Sequence, residues 1–349
     1  MSTKEQDESL KGRPSMSHLT LTAVGGDLGD IVSLSPDPDA SPGADDVLIA
    51  VEAAPINGAD LLFAAGLLGV YPDVPAALGG EGVGRVVRAG ANADPALIGR
   101  RVLILPTFRY GTWAATTVVP ARNVIPVPGN VDVLQLAMLP GNAATAYALL
   151  SDYVQLQPGD WIGLNLANGA VGRNLIALAR RAGIKTLGVV RRDEVVEQVR
   201  RAGADLVLVE GTDLGGRVTK ALGGATLRIL FEGTGDPGQI AELVRAVEDG
   251  GSVIAFASAT GQAPVLPLGD LFNRGISLRA FFVLNWLRDT PRERLERVYA
   301  ELADLISQGT IGAVVEATYP LDQYRAALQH AQQTGRSGKI LFTPNPSAA

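Results

Sequence analysis

The stretch Trp161–Arg192, WIGLNLANGAVGRNLIALARRAGIKTLGVVRR, decides the fold. An apolar run, Trp161–Ala167, ends at Asn168-Gly169. An Ala/Leu/Ile-rich segment, Asn174–Ala182, follows at helical spacing. Gly183 stops it, and Thr186–Val190 is a second, β-branched run. Strand, tight turn, helix and strand make the unit that binds dinucleotides. Small residues at the turn let the backbone approach a pyrophosphate, and the helix N-terminus supplies N–H groups and a partial positive charge. The turn itself, Asn168-Gly169-Ala170-Val171-Gly172, is not a full G-x-G-x-x-G, so its setting between strand and helix carries the reading. Close packing alone would also place small residues there. NAD enzymes usually end the second strand with an acidic residue for the ribose 2′-OH; this chain has Arg191-Arg192. Two guanidinium groups suit a 2′-phosphate and point to NADPH. The plainer alternative is a pair of solvated arginines opening a helix, with Asp193 and Glu194 close behind.

Working outward, 349 residues exceed one typical domain, so two are expected. A net charge of −6 argues against a general nucleic-acid binder. The absence of cysteine removes disulfides, thiol nucleophiles and cysteine–zinc sites together. The two histidines, His18 and His330, lie in no motif and read as surface or packing residues, which argues against a Ser-His-Asp triad. Residues 1–16 are polar and mixed in charge, lack the apolar core of a secretory signal, and read as a disordered tail. No apolar stretch approaches the roughly 20 residues of a membrane helix. The expectation is a cytoplasmic protein with no membrane or nucleic-acid partner.

The N-terminal third reads as a small, Gly-punctuated, mostly-β domain. Its strands fall at Val47–Glu52, Gly82–Ala89, Arg101–Leu105 and within Tyr110–Pro120, with a short helix at Asn57–Ala65. Val131–Leu150 is helical, broken by Pro140-Gly141. After the opening βαβ unit, helices at Glu194–Ala202, Gly215–Leu222 and Pro237–Val247 alternate with strands at Leu206–Val209, Leu227–Phe231 and Ser252–Ala257. Ile276–Val283 is a sixth strand, and Arg292–Gln308 a long helix. The pattern is that of an α/β doubly wound parallel sheet. Strand Val314–Tyr319, helix Leu321–Gln332 and strand Lys339–Phe342 are expected to return to the first domain. The predicted boundaries are 17–130 with 287–349 for the β domain, and 131–286 for the dinucleotide-binding domain.

This order resembles the medium-chain dehydrogenase/reductase superfamily over about Thr20 to Phe342, which implies a GroES-like catalytic domain beside the Rossmann domain. Within it, six segments are most similar to mitochondrial-type 2-enoyl thioester reductases. They are Gly111-Thr112-Trp113, Gly141–Tyr147, Leu156–Asp160, Asn168–Gly172, Val189-Val190-Arg191 and Phe281–Trp286. Zinc-free quinone reductases are the neighbouring branch. Zinc members of the superfamily hold their metal with a Cys and with the His of a G-H-E motif. The corresponding positions here are Asn57 and Gly80, so the resemblance implies no metal. It also implies that Asn142 and Thr145 sit near the nicotinamide and its ribose, that Asn168, Gly169, Ala170 and Val171 cradle the pyrophosphate, and that Arg191 and Arg192 hold the 2′-phosphate. Phe256, Ala257, Phe281, Phe282 and Val283 would border the nicotinamide, and Lys339 would reach the cofactor. The phenylalanines serve equally well as core or interface residues, and Lys339 as an ordinary strand-end lysine. In the superfamily the sixth strand pairs across a two-fold axis. The apolar Ile276–Val283 would be hazardous if exposed, so a homodimer is expected.

Reducing a 2-enoyl thioester on CoA or acyl carrier protein needs hydride at the β-carbon and a proton at the α-carbon. Without zinc or a placed histidine, a tyrosine, which keeps its proton to about pH 10, is a suitable donor. The resemblance places the donor in the loop Gly69-Val70-Tyr71-Pro72, with a short shift bringing Tyr71 into register. The bland reading is a loop tyrosine making one hydrogen bond. Tyr110 and Tyr147 are weaker candidates. Asn57 would bond a substrate carbonyl or simply cap a helix, and Trp286 would wall an acyl pocket or pack in the core. The alternatives are an NADPH quinone or small-enone reductase and a non-catalytic NADPH-binding protein on the same fold.

Overall fold

The computed structural model describes residues 17–36 and 40–345, so the expected tail at 1–16 and part of the turn after Pro36 lie outside the described residues. Contacts divide the chain into two units, one holding residues up to Pro140 together with those from Val315, the other Gly141–Val314.

The first unit is mostly β. It opens with β1 (Ser17–Leu21), a turn of helix α1 (Leu28–Ile31) and β2 (Val32–Pro36), followed by the long β3 (Asp46–Pro55) and helix α2 (Gly58–Ala64). Next come β4 (Ala76–Ala77), β5 (Gly82–Ala89), β6 (Arg101–Ile104), β7 (Thr116–Pro120), β8 (Val124–Pro126) and α3 (Val133–Ala137). Strands β2-β1-β4 form a small sheet, and β3 pairs with both β5 and β7 in a larger one. Leu19, Ile49, Val51, Trp113 and Val119 fill the core with essentially no exposure. The strand expected within Tyr110–Pro120 is Thr116–Pro120; before it Gly111 turns the chain at φ 65°, and Thr112 and Trp113 hydrogen-bond to the 78–79 backbone.

The second unit begins with α4 (Ala144–Ser151), which follows a single π turn at Leu139–Ala143. That turn is how Pro140-Gly141 interrupts the expected helix. Then β9 (Trp161–Leu164), α5 (Ala170–Arg181), β10 (Lys185–Val190), α6 (Val196–Ala202), β11 (Leu206–Val209), α7 (Leu214–Leu222) and β12 (Leu227–Glu232) alternate. Helix α8 (Pro237–Leu243), β13 (Val247–Ala255), α9 (Leu268–Phe272) and β14 (Ser277–Ala280) complete the sheet. Helices α10 (Val283–Asp289) and α11 (Arg292–Ser307) follow. All six strands are parallel in the order β11-β10-β9-β12-β13-β14, the doubly wound arrangement.

Two expectations need correction here. The sixth strand is half as long as read: its ladder closes with Phe281 N–H donating to Ala255, and Phe282 is already the N-cap of α10. An unbroken apolar run hid a helix start that has no Ser, Thr, Asp or Asn to announce it. The second unit also extends past Trp286 to Val314, because α11 buries Leu295, Val298, Tyr299 and Leu302 and packs against α4.

The chain then returns to the first unit with β15 (Val315–Tyr319), α12 (Tyr324–Gln332) and β16 (Lys339–Phe342). Strand β16 pairs with β3 and, on its other side, with β15. No helix among the described residues is long and apolar enough to cross a membrane.

Candidate active site

In the second unit, the turn between β9 and α5 is tight. Helix α5 starts at the N-cap Gly169, and no side chain caps it. A Cβ on Gly172 would lie 2.8 Å from the carbonyl oxygens of both Leu166 and Ala167, so only glycine allows the helix to leave the strand this tightly. Leu166 itself sits at φ 52°, the left-handed region that costs a branched residue free energy and persists only where its surroundings enforce it.

Asn165, one residue earlier, is fully buried. Its Nδ2 faces three acceptors: Glu232 Oε1 at 2.9 Å, Thr234 Oγ1 at 3.0 Å and Gln239 Oε1 at 2.7 Å. Two hydrogens serve three acceptors, so one bond is shared. Its Oδ1 accepts from Gly233 N–H at 2.6 Å. Glu232, also fully buried, accepts from the Thr234 and Gly235 backbone, and Gln239 extends the network to Glu210 at 2.8 Å. The C-terminal ends of β9, β11 and β12 are thus tied together beside the turn.

Asn168, Gly169 and Val171 are half-buried at that turn and Ala170 is buried. Arg191 is exposed and Arg192 half-buried directly after β10. Asn142 lies in the π turn and Thr145 in α4, both buried. Phe256 and Ala257 stand just beyond β13. The Phe256 ring covers Gly233, where a Cβ would meet it at 2.7 Å. Phe281 is buried edge-on against Tyr153, with ring centroids 6.1 Å apart. Trp286 is buried, and its indole N–H donates to Asp152 Oδ2 at 2.9 Å, so it packs within the unit.

In the first unit, a partly buried polar cluster occupies the positions compared with metal ligands. Asn57 is the N-cap of α2, yet its side chain serves other groups: Nδ2 donates to Glu81 Oε1 at 2.7 Å, and Oδ1 accepts from Lys339 Nζ at 2.5 Å. Asp60 caps the helix from the third position by accepting from Asn57 N–H, and also accepts from Gly80 N–H, both at 2.8 Å. Burial pushes the Asp60 carboxyl up to about 6 against the pull of those two N–H groups and Lys339. Burial likewise pulls the Lys339 ammonium down, opposed by Glu81 and Asp60. A side chain at residue 80 would begin 2.9 Å from the Phe108 ring, which stacks on Phe63 with centroids 5.3 Å apart. The space for an imidazole is therefore filled, and Asn57 is engaged with Lys339 and Glu81; these residues do not fit a zinc ion. Among the described residues, no group of three or more His, Cys, Asp or Glu is placed to hold a metal.

Tyr71 lies in the loop between α2 and β4 and is 77% exposed. Asp60, Glu81, Phe108, Asn165 and Glu232 were not singled out as site residues from the sequence. The Asn57-x-x-Asp60 capping spacing could have found Asp60; nothing local marks the others.

Because the carboxyl of Asp60 is higher folded than its ordinary 3.8, its contribution to stability is present below pH 4 and is lost as pH rises through about 6. Relative to Asp60→Asn, the protein should lose up to about 3 kcal/mol between pH 4 and 7. Urea midpoints across that range check this, and parallel curves for the two proteins would refute the shift.

The profile described as "Alcohol dehydrogenase GroES-like domain" matches residues 43–129, and that described as "Zinc-binding dehydrogenase" matches residues 170–304. Mitochondrial enoyl-[acyl-carrier-protein] reductase from Xenopus tropicalis is 30% identical over 86% of this chain and 88% of its own length. The chain belongs to the medium-chain dehydrogenase/reductase superfamily. A superfamily relative from Caenorhabditis elegans, also a mitochondrial enoyl-[acyl-carrier-protein] reductase, is 32% identical over 83% of this chain and 84% of its own. Among solved structures, the NADPH complex of Escherichia coli quinone oxidoreductase superposes with a TM-score of 0.85 at 22% identity, covering 94% of this chain and all of that one. This likeness is one of fold. Membership makes the chain an oxidoreductase of the NAD(P)-dependent type, which agrees with the tight glycine turn at α5.

Proposed function

We propose that the chain is an NADPH-dependent, zinc-independent reductase of the activated C=C bond of a 2-enoyl thioester, carried on CoA or acyl carrier protein. The observation that carries this reading is the Lys339–Asn57–Glu81 cluster with Phe108 over Gly80, which puts an ammonium and an amide where zinc members of the superfamily place a metal. The names of the curated relatives above support the thioester class. NADPH, when bound, supplies hydride for the β-carbon. The α5 N-terminus would hold its pyrophosphate, Arg191 and Arg192 its 2′-phosphate, and Asn142 and Thr145 would lie by the nicotinamide ribose. Tyr71 donates the proton to the α-carbon.

The test is NADPH consumption with crotonyl-CoA beside 1,4-benzoquinone under identical conditions. Fast turnover of the thioester with little on the quinone is the expected result; the reverse would move the chain to the quinone branch. For cofactor choice, Arg191→Ala with Arg192→Ala should weaken NADPH by about 10-fold or more, the scale of losing charge-assisted hydrogen bonds. NADH binding should hardly change, and equal losses for both cofactors would refute the 2′-phosphate assignment.

We also infer a homodimer. Among the described residues strand β14 is an edge of the six-stranded sheet, and Leu268, Leu271 and Phe272 on the preceding α9 are 69%, 41% and 79% exposed. Light scattering should give about twice 36.3 kDa; a monomer mass at micromolar concentration would reject it.

A further inference from the structure

The segment that delivers Lys339 is held from outside the cluster. Strands β15 and β16 pair in parallel with Val315 opposite Lys339 and Ala317 opposite Ile340, so Glu316 is the extra residue of a bulge. Bulges re-aim side chains. Here the Glu316 carboxylate turns to the α12–β16 connection, where Oε2 accepts from Ser337 N–H at 2.7 Å, Ser337 Oγ at 3.2 Å and Gly338 N–H at 2.8 Å. These are the two residues immediately before Lys339. The other oxygen, Oε1, lies 3.0 Å from His330 Nε2, and His330 Nδ1 lies 2.9 Å from the Tyr319 hydroxyl. With Tyr319 donating to Nδ1 and Nε2–H donating to Glu316, a neutral imidazole has both nitrogens bonded. Burial alone would raise the Glu316 carboxyl, yet the bonds from Gly338, His330 and Ser337 hold it below its ordinary value.

We propose that Glu316, braced by His330 and Tyr319, is a positioning residue for Lys339. It fixes the Ser337–Gly338 turn so that the lysine side chain stays on Asn57, pre-organised for the anionic part of the dinucleotide. This inference rests on the proposed NADPH reductase reading and on the family resemblance behind it, which has Lys339 reach the cofactor. The remainder stands on the hydrogen bonds. Without the carboxylate, the 337–338 backbone loses the acceptor for both its N–H groups and the Ser337 hydroxyl loses one as well, so the lysine must be ordered at the moment of binding, at the cost of its side-chain entropy.

The test is NADPH affinity, read by fluorescence titration of the full chain, for Glu316→Ala, Glu316→Gln, Lys339→Ala and the Glu316→Ala/Lys339→Ala double variant. Glu316→Ala should weaken NADPH by about 10-fold, the scale of immobilising one long side chain. Glu316→Gln, which keeps a carbonyl oxygen for the two N–H groups, should retain most of the affinity. The double variant should bind no more weakly than Lys339→Ala, because one group acts through the other. Additive losses would overturn the proposal, as would wild-type affinity in Glu316→Ala beside a weakened Lys339→Ala. If Lys339→Ala itself binds NADPH like the wild type, the cofactor reading of Lys339 falls and the proposal falls with it. Hydrogen exchange of the 333–339 peptide gives a readout without cofactor: amide protection at Ser337 and Gly338 should be lost in Glu316→Ala and kept in Lys339→Ala. Protection kept in Glu316→Ala would also overturn the proposal.

Discussion

Asn165→Leu should destabilise the second unit by about 3 kcal/mol or more, because each buried polar group left without a partner costs about 1–3 kcal/mol. Leucine keeps the branched shape, but its methyl groups cannot sit at the hydrogen-bond distances the amide makes, so forced repacking adds to the lost hydrogen bonds. It strands Gly233 N–H and the Gln239 carbonyl oxygen, and it removes one of the donors to the buried Glu232 carboxylate. Because the network lies beside the turn before α5, NADPH affinity should fall with stability. Urea denaturation followed through tryptophan fluorescence gives the first quantity and cofactor titration the second. A stability loss under about 1 kcal/mol would show that Thr234, Gln239 and Glu232 close ranks without the amide.

Tyr71→Phe should cut kcat by about 10²-fold or more, the scale of lost general acid catalysis, while NADPH affinity stays nearly unchanged. The phenol is on an exposed loop, so its removal should not move the melting temperature, and a fall in rate then reads directly on proton delivery. Solvent isotope effects on kcat sharpen the test: proton transfer that becomes rate-limiting in the variant raises the effect. If turnover is unchanged, the phenol is a loop residue only. The proton must then come from another group, and Lys339, whose burial makes its ammonium more acidic than usual, becomes the first to substitute.

How much of this was legible depends on how local each feature is. The β9–α5–β10 unit could be read because its periodicities are strong and Gly169 and Gly183 punctuate them. The return of Lys339–Phe342 to the first unit and the six-strand count could also be read from the sequence. The limit of β14 could not, since Phe281 and Phe282 continue an apolar run while the backbone has already turned toward a helix. The Asn57 cluster was half visible. Its cap spacing is local, but the amide's partners are 24 and 282 residues away in sequence. Nothing in the sequence marks Asn165 and Glu232, because a buried network carries no periodic signal and its members meet only once the sheet is assembled. His330 was read as a surface or packing residue for the same reason, its partner Glu316 being brought round by a bulge.

The ring of Phe108 over Gly80 bears on how such a chain could be re-engineered. Grafting cysteine at 57 and histidine at 80 would look, on an alignment, like restoring a lost cofactor. In three dimensions the new imidazole would collide with a phenylalanine whose backbone is held at φ 55°, and the new thiolate would find a lysine already seated beside it. Recruiting a transition metal therefore calls for at least four concerted exchanges, at 57, 80, 108 and 339. An intermediate that loses Lys339 before a metal is bound would leave the Glu81 and Asp60 carboxylates without their ammonium, a gap that gradual mutation crosses poorly.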